Sequence, residues 1–311
     1  LICASIEHKL GIHGSPTAVM SYGEKEGAIG YLIGEENKGV GYMFTMMNHA
    51  RVNVGLEGVG IAERAYQHAL WYARERVQGA IIGDKSGVKK PILHHPDVRR
   101  LLMDCKARTE AMRTLAYYGA ANIDKAHAGD AAAQARIDLL TPVIKGWSTE
   151  QGVELSSTAL QVFGGVGFVE ETGAAQYYRD SRITTIYEGT TAIQANDLVG
   201  RKLAREKVPG AAMKTLIAEM TADAEAIGAN PQLAKEIENC KKMISFLPED
   251  KRGKWQEKIL AKDAPLIGYK GLYKMRHDIW DEARQCLMRE AQDYLDEASY
   301  NDRIVTLLEW A

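Results

Sequence analysis

The chain has 311 residues, of which 46% are hydrophobic and 26% are charged, so it can bury a large core and is expected to form two or three structural units. Its formal net charge of -2 excludes proteins that attract nucleic acid or an anionic membrane through a general excess of basic residues. Any anion that the protein binds must therefore be bound by local groups.

The cysteine pattern indicates neither a zinc site nor a disulfide framework, because no Cys-x-x-Cys pair occurs. We therefore expect no metal and a reducing compartment, the cytoplasm. No apolar run approaches the roughly 20 residues of a spanning helix and no signal peptide is recognised, so we expect no membrane span. The chain begins at Leu1 in what reads as mid-strand, which predicts a fragment. The cysteines are Cys3, Cys105, Cys240 and Cys286.

Residues 1–36 carry strand signals in three stretches, LICASIEHKLGI, TAVMSYG and AIGYLIG, which are separated by the turn-rich stretches HGSP and EKEG. Two or three strands cannot form an independent sheet with covered edges. We therefore expect residues 1–38 to be the remnant of a β-domain whose other strands are missing or come from another chain.

Long helical patterns follow the strand signals. The second pattern is the most regular, with apolar residues at i, i+3, i+4 and i+7 from Val98 and with Pro96 in its first turn. Long helices with short or moderate loops predict an up-and-down bundle. Further amphipathic helices are predicted over 207–311, without recognisable chemistry. The four main patterns cover residues 41–78, 96–128, 131–163 and 190–205.

Polar residues interrupt the first helical pattern at two places. Asn48 and Arg51 lie in the apolar, glycine-spaced stretch MMNHARVNVGLEGVGIAERA. An arginine in such a stretch usually makes a structural ion pair, although it can also serve a site. Arg76, in ARERVQG, is compatible with a solvated cation at a helix end.

A glycine cluster lies in LQVFGGVGFVEE, with Gly164, Gly165 and Gly167. It is not a dinucleotide-binding loop, because such a loop follows a strand and opens a helix. One interpretation is a glycine that ends a helix. The other is a surface without side chains on which an extended cofactor lies, with the amide of Gln161 as a hydrogen-bonding group.

The stretch TTIYEGTTAIQ contains a single charged residue, Glu188. Moving a carboxylate out of water is costly and usually raises the pKa of such a group. A raised pKa suits a general base that works near neutral pH. The alternative is a glutamate in the first turn of a helix, with Thr190 or Thr191 as the cap.

These four stretches, in this order and at these separations, resemble the C-terminal half of the acyl-CoA dehydrogenase family of flavoproteins over residues 1 to about 205. KLGIHGSPTAVMSYG, HHPDVRRLLMDCKA and the helical tail are most similar to a bacterial subgroup that includes 3-(methylthio)propanoyl-CoA dehydrogenases. The resemblance implies a mainly α fold. It comprises the end of a middle β-domain (1–38), a helical bundle (39–206) and a helical C-terminal extension (207–311).

The resemblance also implies an activity. Glu188 matches the base that removes the α proton of an acyl-CoA thioester while FAD accepts the β hydride at flavin N5. Arg51 matches the arginine that supports this base and the substrate region, and Asn48 matches a position near the CoA moiety. Tyr187 and Gly189, on either side of the base, are implied to contact substrate.

The cofactor residues implied by the resemblance come from several segments. Arg76, Gln161, Gly164 and Gly165 match residues that hold the pyrophosphate and adenosine of FAD, largely from a neighbouring subunit. Thr190 matches a further FAD contact. The implied partners are an electron-transferring flavoprotein and further copies of the chain, in a dimer or tetramer.

Two departures from the family pattern are visible. Where the family commonly has Arg-x-x-Phe-Gly, Arg76 is followed by Val77, Gln78 and Gly79 and then by an insertion, AIIGDKSGVKKPIL. Ala192 stands where many relatives have glutamine. An aromatic wall and one cofactor hydrogen bond are therefore in doubt. Two alternatives stay open: an acyl-CoA oxidase-like enzyme that passes electrons to oxygen, and a catalytically silent scaffold.

Overall fold

The computed structural model describes residues 1–204 and 210–227, together with residues 231, 234, 235, 237, 238 and 241. The chain divides into two compact units, Leu1–Leu203 and Ala204–Ala311. Most of the extension predicted over 207–311, with Cys240 and Cys286, lies outside the described residues. The predicted domain boundaries stay a prediction.

Two short strands form the first part of the larger unit. Strands β1 (Ile2–Ile6) and β2 (Ala18–Ser21) pair antiparallel, with an irregularity in β1 between Cys3 and Ser5. The prediction of a third strand over 28–34 is wrong. This stretch forms no strand, because no described segment pairs with it. Its apolar side chains lie in solvent. The most exposed are Ile29 at 91%, Tyr31 at 89% and Ile33 at 88%.

Three long helices form the body of this unit: α1 (Gly39–Glu75), α2 (Pro96–His127) and α3 (Ala131–Phe163). Their boundaries lie within three residues of those predicted, and the predicted bundle is confirmed. Pro96 opens α2, where its missing N–H costs no helical hydrogen bond. Asp130 caps α3 by accepting hydrogen bonds from the backbone N–H groups of Ala132 and Ala133.

Shorter helical segments follow α3. Helix α4 (Ala174–Arg182) was not predicted, because it is too short to give a long periodic pattern. The predicted helix over 190–205 divides into α5 (Thr191–Asp197) and a π-helical segment, Leu198–Leu203. The 3-10 turns are Ile92–His94, Gly164–Phe168, Glu170–Thr172 and Ile183–Thr185.

Helices α1 and α3 run parallel and touch through their backbones. A Cβ atom added to Gly58 on α1 would lie 2.5 Å from the carbonyl oxygen of Ser148 on α3. A Cβ atom added to Gly152 would lie 3.0 Å from the Cα atom of Gly58. This contact brings the buried polar residues of α1 close to those of α3.

The described part of the second unit contains helix α6 (Ala211–Ile227). Ile217 and Ile237 form its buried core, and three partly buried residues pack against them: Met213, Met220 and Ala224. Across the described ranges of both units, no helix has the length and apolar content needed to cross a membrane.

Candidate active site

Glu188 lies in a tight turn that precedes α5. Its φ of 53° and the φ of 91° at Gly189 place both residues in the left-handed region, which is unusual for a glutamate. Because α5 begins at Thr191, the alternative that Glu188 lies in the first turn of a helix is wrong. Thr190 is the cap, as one alternative expected: its hydroxyl accepts from the backbone N–H of Ile193 at 3.4 Å.

Three buried side chains hold the two carbonyl groups of this turn. Arg51 Nε donates to the carbonyl oxygen of Glu188 at 3.3 Å. Gln194 Nε2 donates to the carbonyl oxygens of Glu188 and Gly189 at 3.2 and 3.0 Å. Lys145 Nζ donates to the carbonyl oxygen of Gly189 at 2.7 Å. The turn is thus held from α1, α3 and α5 at once.

Arg51 is only 2% exposed and is itself held by a carboxylate. Its Nη1 atom donates to Asp197 Oδ2 at 2.8 Å, and Asp197 also accepts from Arg201 Nε. The expectation of a structural ion pair is confirmed, yet the same guanidinium reaches the Glu188 carbonyl. Arg51 therefore links the end of α5 to the turn before it.

Tyr187 and Asn48 lie close to this turn or to Arg51. The Tyr187 hydroxyl donates to Glu57 on α1, and the pKa of Tyr187 lies above its usual value because of burial and then because of that hydrogen bond. Tyr187 is thus a neutral donor. Asn48 is half-buried on α1, three residues before Arg51 and on the same face of the helix.

The predicted cofactor residues fall into two groups. Thr190 lies beside Gly189, whereas the other four lie at the C-terminal ends of α1 and α3. These two ends are neighbours, since the rings of Tyr72 and Phe163 stack with their centroids 4.6 Å apart. Tyr72 follows Arg51 by 21 residues on α1, roughly 30 Å at 1.5 Å per residue. Within one chain, the second group is remote from Glu188. Its members are Arg76, Gln161, Gly164 and Gly165.

The surface at the second group has room for an extended ligand. Gly164, with φ 62°, ends α3, which confirms the interpretation as a helix stop. No atom lies within 4 Å of a Cβ atom added to Gly164 or Gly165, so their backbone is open. Gln161 is exposed, and the exposed Arg76 donates to Gln78 Oε1 at 3.0 Å. Open glycine backbone beside an amide and a guanidinium fits a phosphate-containing cofactor.

Three residues that hold the turn or its Arg51 were not predicted from the sequence: Lys145, Gln194 and Asp197. A signal existed for Lys145, because it is the single charge in LLTPVIKGW, a pattern like that of Glu188. No local signal distinguishes Gln194 or Asp197 from polar residues on the surface of a helix. Among the described residues, no group of three or more His, Cys, Asp or Glu side chains could hold a metal ion.

Comparison with known proteins gives one consistent result. A family model described as the C-terminal domain of acyl-CoA dehydrogenase matches residues 37–203. The chain is 52% identical over 227 residues to 3-methylmercaptopropionyl-CoA dehydrogenase of Ruegeria pomeroyi, which covers 72% of this chain and 38% of that protein. It is 40% identical to a broad-specificity linear acyl-CoA dehydrogenase of Mycobacterium tuberculosis, over 65% of this chain and 35% of that protein.

The fold agrees with these sequence matches. The solved structure of butyryl-CoA dehydrogenase from Megasphaera elsdenii superposes with a TM-score of 0.52 at 30% identity, covering 63% of this chain and 47% of that one. The chain spans less than two fifths of the length of the two curated relatives named above, at 38% and 35%.

Proposed function

Because the chain belongs to the acyl-CoA dehydrogenase family, we propose that the full-length protein introduces an α-β double bond into an acyl-CoA thioester, with Glu188 as the base. Glu188 takes a proton from the α carbon. The electron pair left there forms the double bond as the β carbon loses a hydride. Bound FAD supplies the acceptor for that hydride at flavin N5.

The observation that carries this proposal is the hydrogen bonding of the Glu188 turn, which holds the backbone and leaves the carboxylate without a partner among the described residues. Arg51, Lys145 and Gln194 all donate to carbonyl oxygens, and no described residue hydrogen-bonds to the Glu188 carboxylate. The backbone is therefore fixed while the carboxylate keeps its lone pairs for a proton. The backbone N–H of Glu188 also donates to no described residue, so it can donate to the thioester oxygen, where charge develops.

The other site residues support this step by position. Arg51 holds the base, while Tyr187 and Gly189 border it and contact substrate. Asn48, on the same face of α1 as Arg51, contacts the CoA moiety. Tyr187, as a neutral donor to Glu57, does not compete with Glu188 for the substrate proton.

We assign FAD to two groups of residues in different subunits. Thr190 contacts the cofactor beside Glu188. Arg76, Gln161, Gly164 and Gly165 hold its pyrophosphate and adenosine from a neighbouring copy of the chain. The roughly 30 Å along α1 between the two groups supports this assignment. It makes the functional protein a homo-oligomer, a dimer or a tetramer. The electron acceptor of the bound cofactor would be an electron-transferring flavoprotein in the cytoplasm.

The experiment is anaerobic reduction of the purified full-length protein. We expect a flavin spectrum that bleaches on addition of an acyl-CoA from a panel of short, long and branched chains that includes 3-methylmercaptopropionyl-CoA. Turnover should then depend on an electron-transferring flavoprotein and not on oxygen. Oxygen uptake matching turnover would indicate an oxidase, and a protein without flavin would indicate a scaffold.

A further inference from the structure

Lys145 is the largest fully buried side chain of the described residues, at 0% exposure, and it lies in the middle of α3. Its Nζ atom donates to the carbonyl oxygen of Gly189 at 2.7 Å. A buried ammonium group is costly, and replacing it by an apolar residue often stabilises a protein. Burial lowers the pKa of Lys145 to about 8, as does the nearby Arg51 to a smaller extent. Bundle packing alone does not explain a lysine here.

The group that Lys145 holds belongs to the residue of the turn with the widest choice of backbone conformations. Gly189 has no Cβ atom, so its φ of 91° is one of several conformations open to it. Rotation of the peptide between Gly189 and Thr190 would turn the Gly189 carbonyl away and change the backbone that presents Glu188. Gln194 also donates to this carbonyl at 3.0 Å, but the same amide nitrogen is shared with the carbonyl of Glu188.

We propose that Lys145 is a positioning residue for the base: by holding the Gly189 carbonyl, it keeps the Glu188 turn in its left-handed conformation and so aims the carboxylate at the α carbon. This inference rests on the proposed function. Lys145 touches neither substrate nor cofactor in this account. Its effect on the reaction passes entirely through Glu188.

The test is Lys145→Met in the full-length protein, measured by anaerobic stopped-flow flavin reduction. Methionine fills similar volume but donates no hydrogen bond. We expect flavin content and the Kd for acyl-CoA to stay within about threefold, while the rate of flavin reduction falls about 100-fold, as for a misplaced reacting group. Thr149→Val is the matched control. Thr149 is equally buried one turn further along α3, and its hydroxyl bonds only carbonyls of its own helix. The rate of flavin reduction by the Thr149→Val variant should stay within threefold of the parent.

A double variant separates positioning from general damage. If Lys145 acts through Glu188, Lys145→Met should slow flavin reduction little further in a protein that already carries Glu188→Gln, because the effects of residues acting as a unit are not additive. An additional 100-fold loss in the double variant would overturn the inference.

The remaining outcomes are also decisive. If Glu188→Gln abolishes flavin reduction while the rate for Lys145→Met stays within threefold of the parent, the inference about Lys145 is wrong and the proposed function stands. If Glu188→Gln itself retains the rate, the proposed function is wrong. Lys145→Leu, whose side chain carries no hydrogen-bond donor, replaces the Met variant if that variant does not fold. If both variants lose the flavin or the fold, Lys145 is structural and the inference fails.

Discussion

At the scale of the residue, the site depends on buried charges that are not equally costly. Arg51 and Asp197 are compensated by each other at 2.8 Å. The ammonium of Lys145 instead donates to a carbonyl at 2.7 Å, which offsets less of the cost of burying a charge. This difference gives Lys145 a measurable effect on how stability depends on pH.

The pH prediction follows from the pKa of Lys145, lowered from 10.5 to about 8. Burial is the largest cause; Arg51 lowers it further, while Glu150, Glu188 and Glu57 raise it. Between pH 8 and 10.5 the unfolded state binds more protons than the folded state, so this group makes the protein more stable as pH rises. Below pH 8 it is charged in both states and contributes no slope.

The measurement is the thermal unfolding midpoint of the parent and of Lys145→Met from pH 7 to 10.5. The difference in stability between the Met variant and the parent should shift in favour of the parent as pH rises above 8. Expressed as the free energy of unfolding, the shift is at most about 1.4 kcal/mol per pH unit. Lys125→Met, a substitution at an exposed position on α2, serves as the control. A constant difference between Lys145→Met and the parent would contradict the assigned pKa.

The site residues that could be predicted from the sequence are those with a local signal. Glu188 is a lone charge between apolar neighbours, and Arg51 interrupts an apolar helix. Gln194 and Asp197 belong to an ordinary polar helix: Gln194 matters because α5 folds back against the turn before it, and Asp197 because it pairs with Arg51 of α1. Neither contact leaves a periodic or compositional signal in the sequence.

At the scale of the element, the close contact of α1 and α3 sets the distance between Arg51 and Lys145. Gly58→Ala should destabilise the protein by about 1–3 kcal/mol, because its Cβ atom would lie 2.5 Å from the carbonyl oxygen of Ser148 and the helices would have to move apart. Gly60→Ala, two residues along α1, meets nothing within 4 Å and should stabilise by up to about 1 kcal/mol.

The measurement is the unfolding midpoint of both variants, together with the rate of flavin reduction in the full-length protein. Gly58→Ala should also lower that rate, since Arg51 and Lys145 hold the same turn from the two helices that it separates. Equal effects of the two substitutions on stability would show that the helix backbones are not in contact at Gly58.

Long elements were predictable and short ones were not. Helices α1, α2 and α3 are long enough for an apolar stripe to repeat many times, so their ends were predicted within three residues. Helix α4 has nine residues, too few for a reliable period. The stretch 28–34 has the composition of a strand, but a strand also needs a partner, and composition does not reveal whether one is present.

At the scale of the whole molecule, the cofactor assignment divides each active site between two copies of the chain. Glu188 comes from one copy, and the glycine surface of Gly164 and Gly165 comes from its neighbour. We predict that two inactive variants restore activity when they are combined. Gly165→Leu covers the glycine surface with a side chain whose Cβ atom meets nothing within 4 Å in the chain.

In a mixed oligomer, a Glu188→Gln subunit lends its intact glycine surface to a Gly165→Leu subunit that keeps its base. Co-expression with two different affinity tags, followed by purification through both, should yield flavin-containing protein with up to about half of the parental rate per chain. Homo-oligomers of either variant are the controls and should remain inactive. No recovery in the mixed oligomer, or a monomer that retains FAD, would contradict the division of the site.

The central claim is that Glu188 is the base. Glutamine preserves the size and much of the hydrogen bonding of glutamate but accepts no proton, so Glu188→Gln in the full-length protein should keep its fold, its FAD and acyl-CoA binding. Stopped-flow bleaching of the flavin after anaerobic mixing with acyl-CoA should slow by about 10²- to 10⁴-fold or more. A variant that bleaches within tenfold of the parent rate would contradict the account, because the held turn would then present a carboxylate that the reaction does not use.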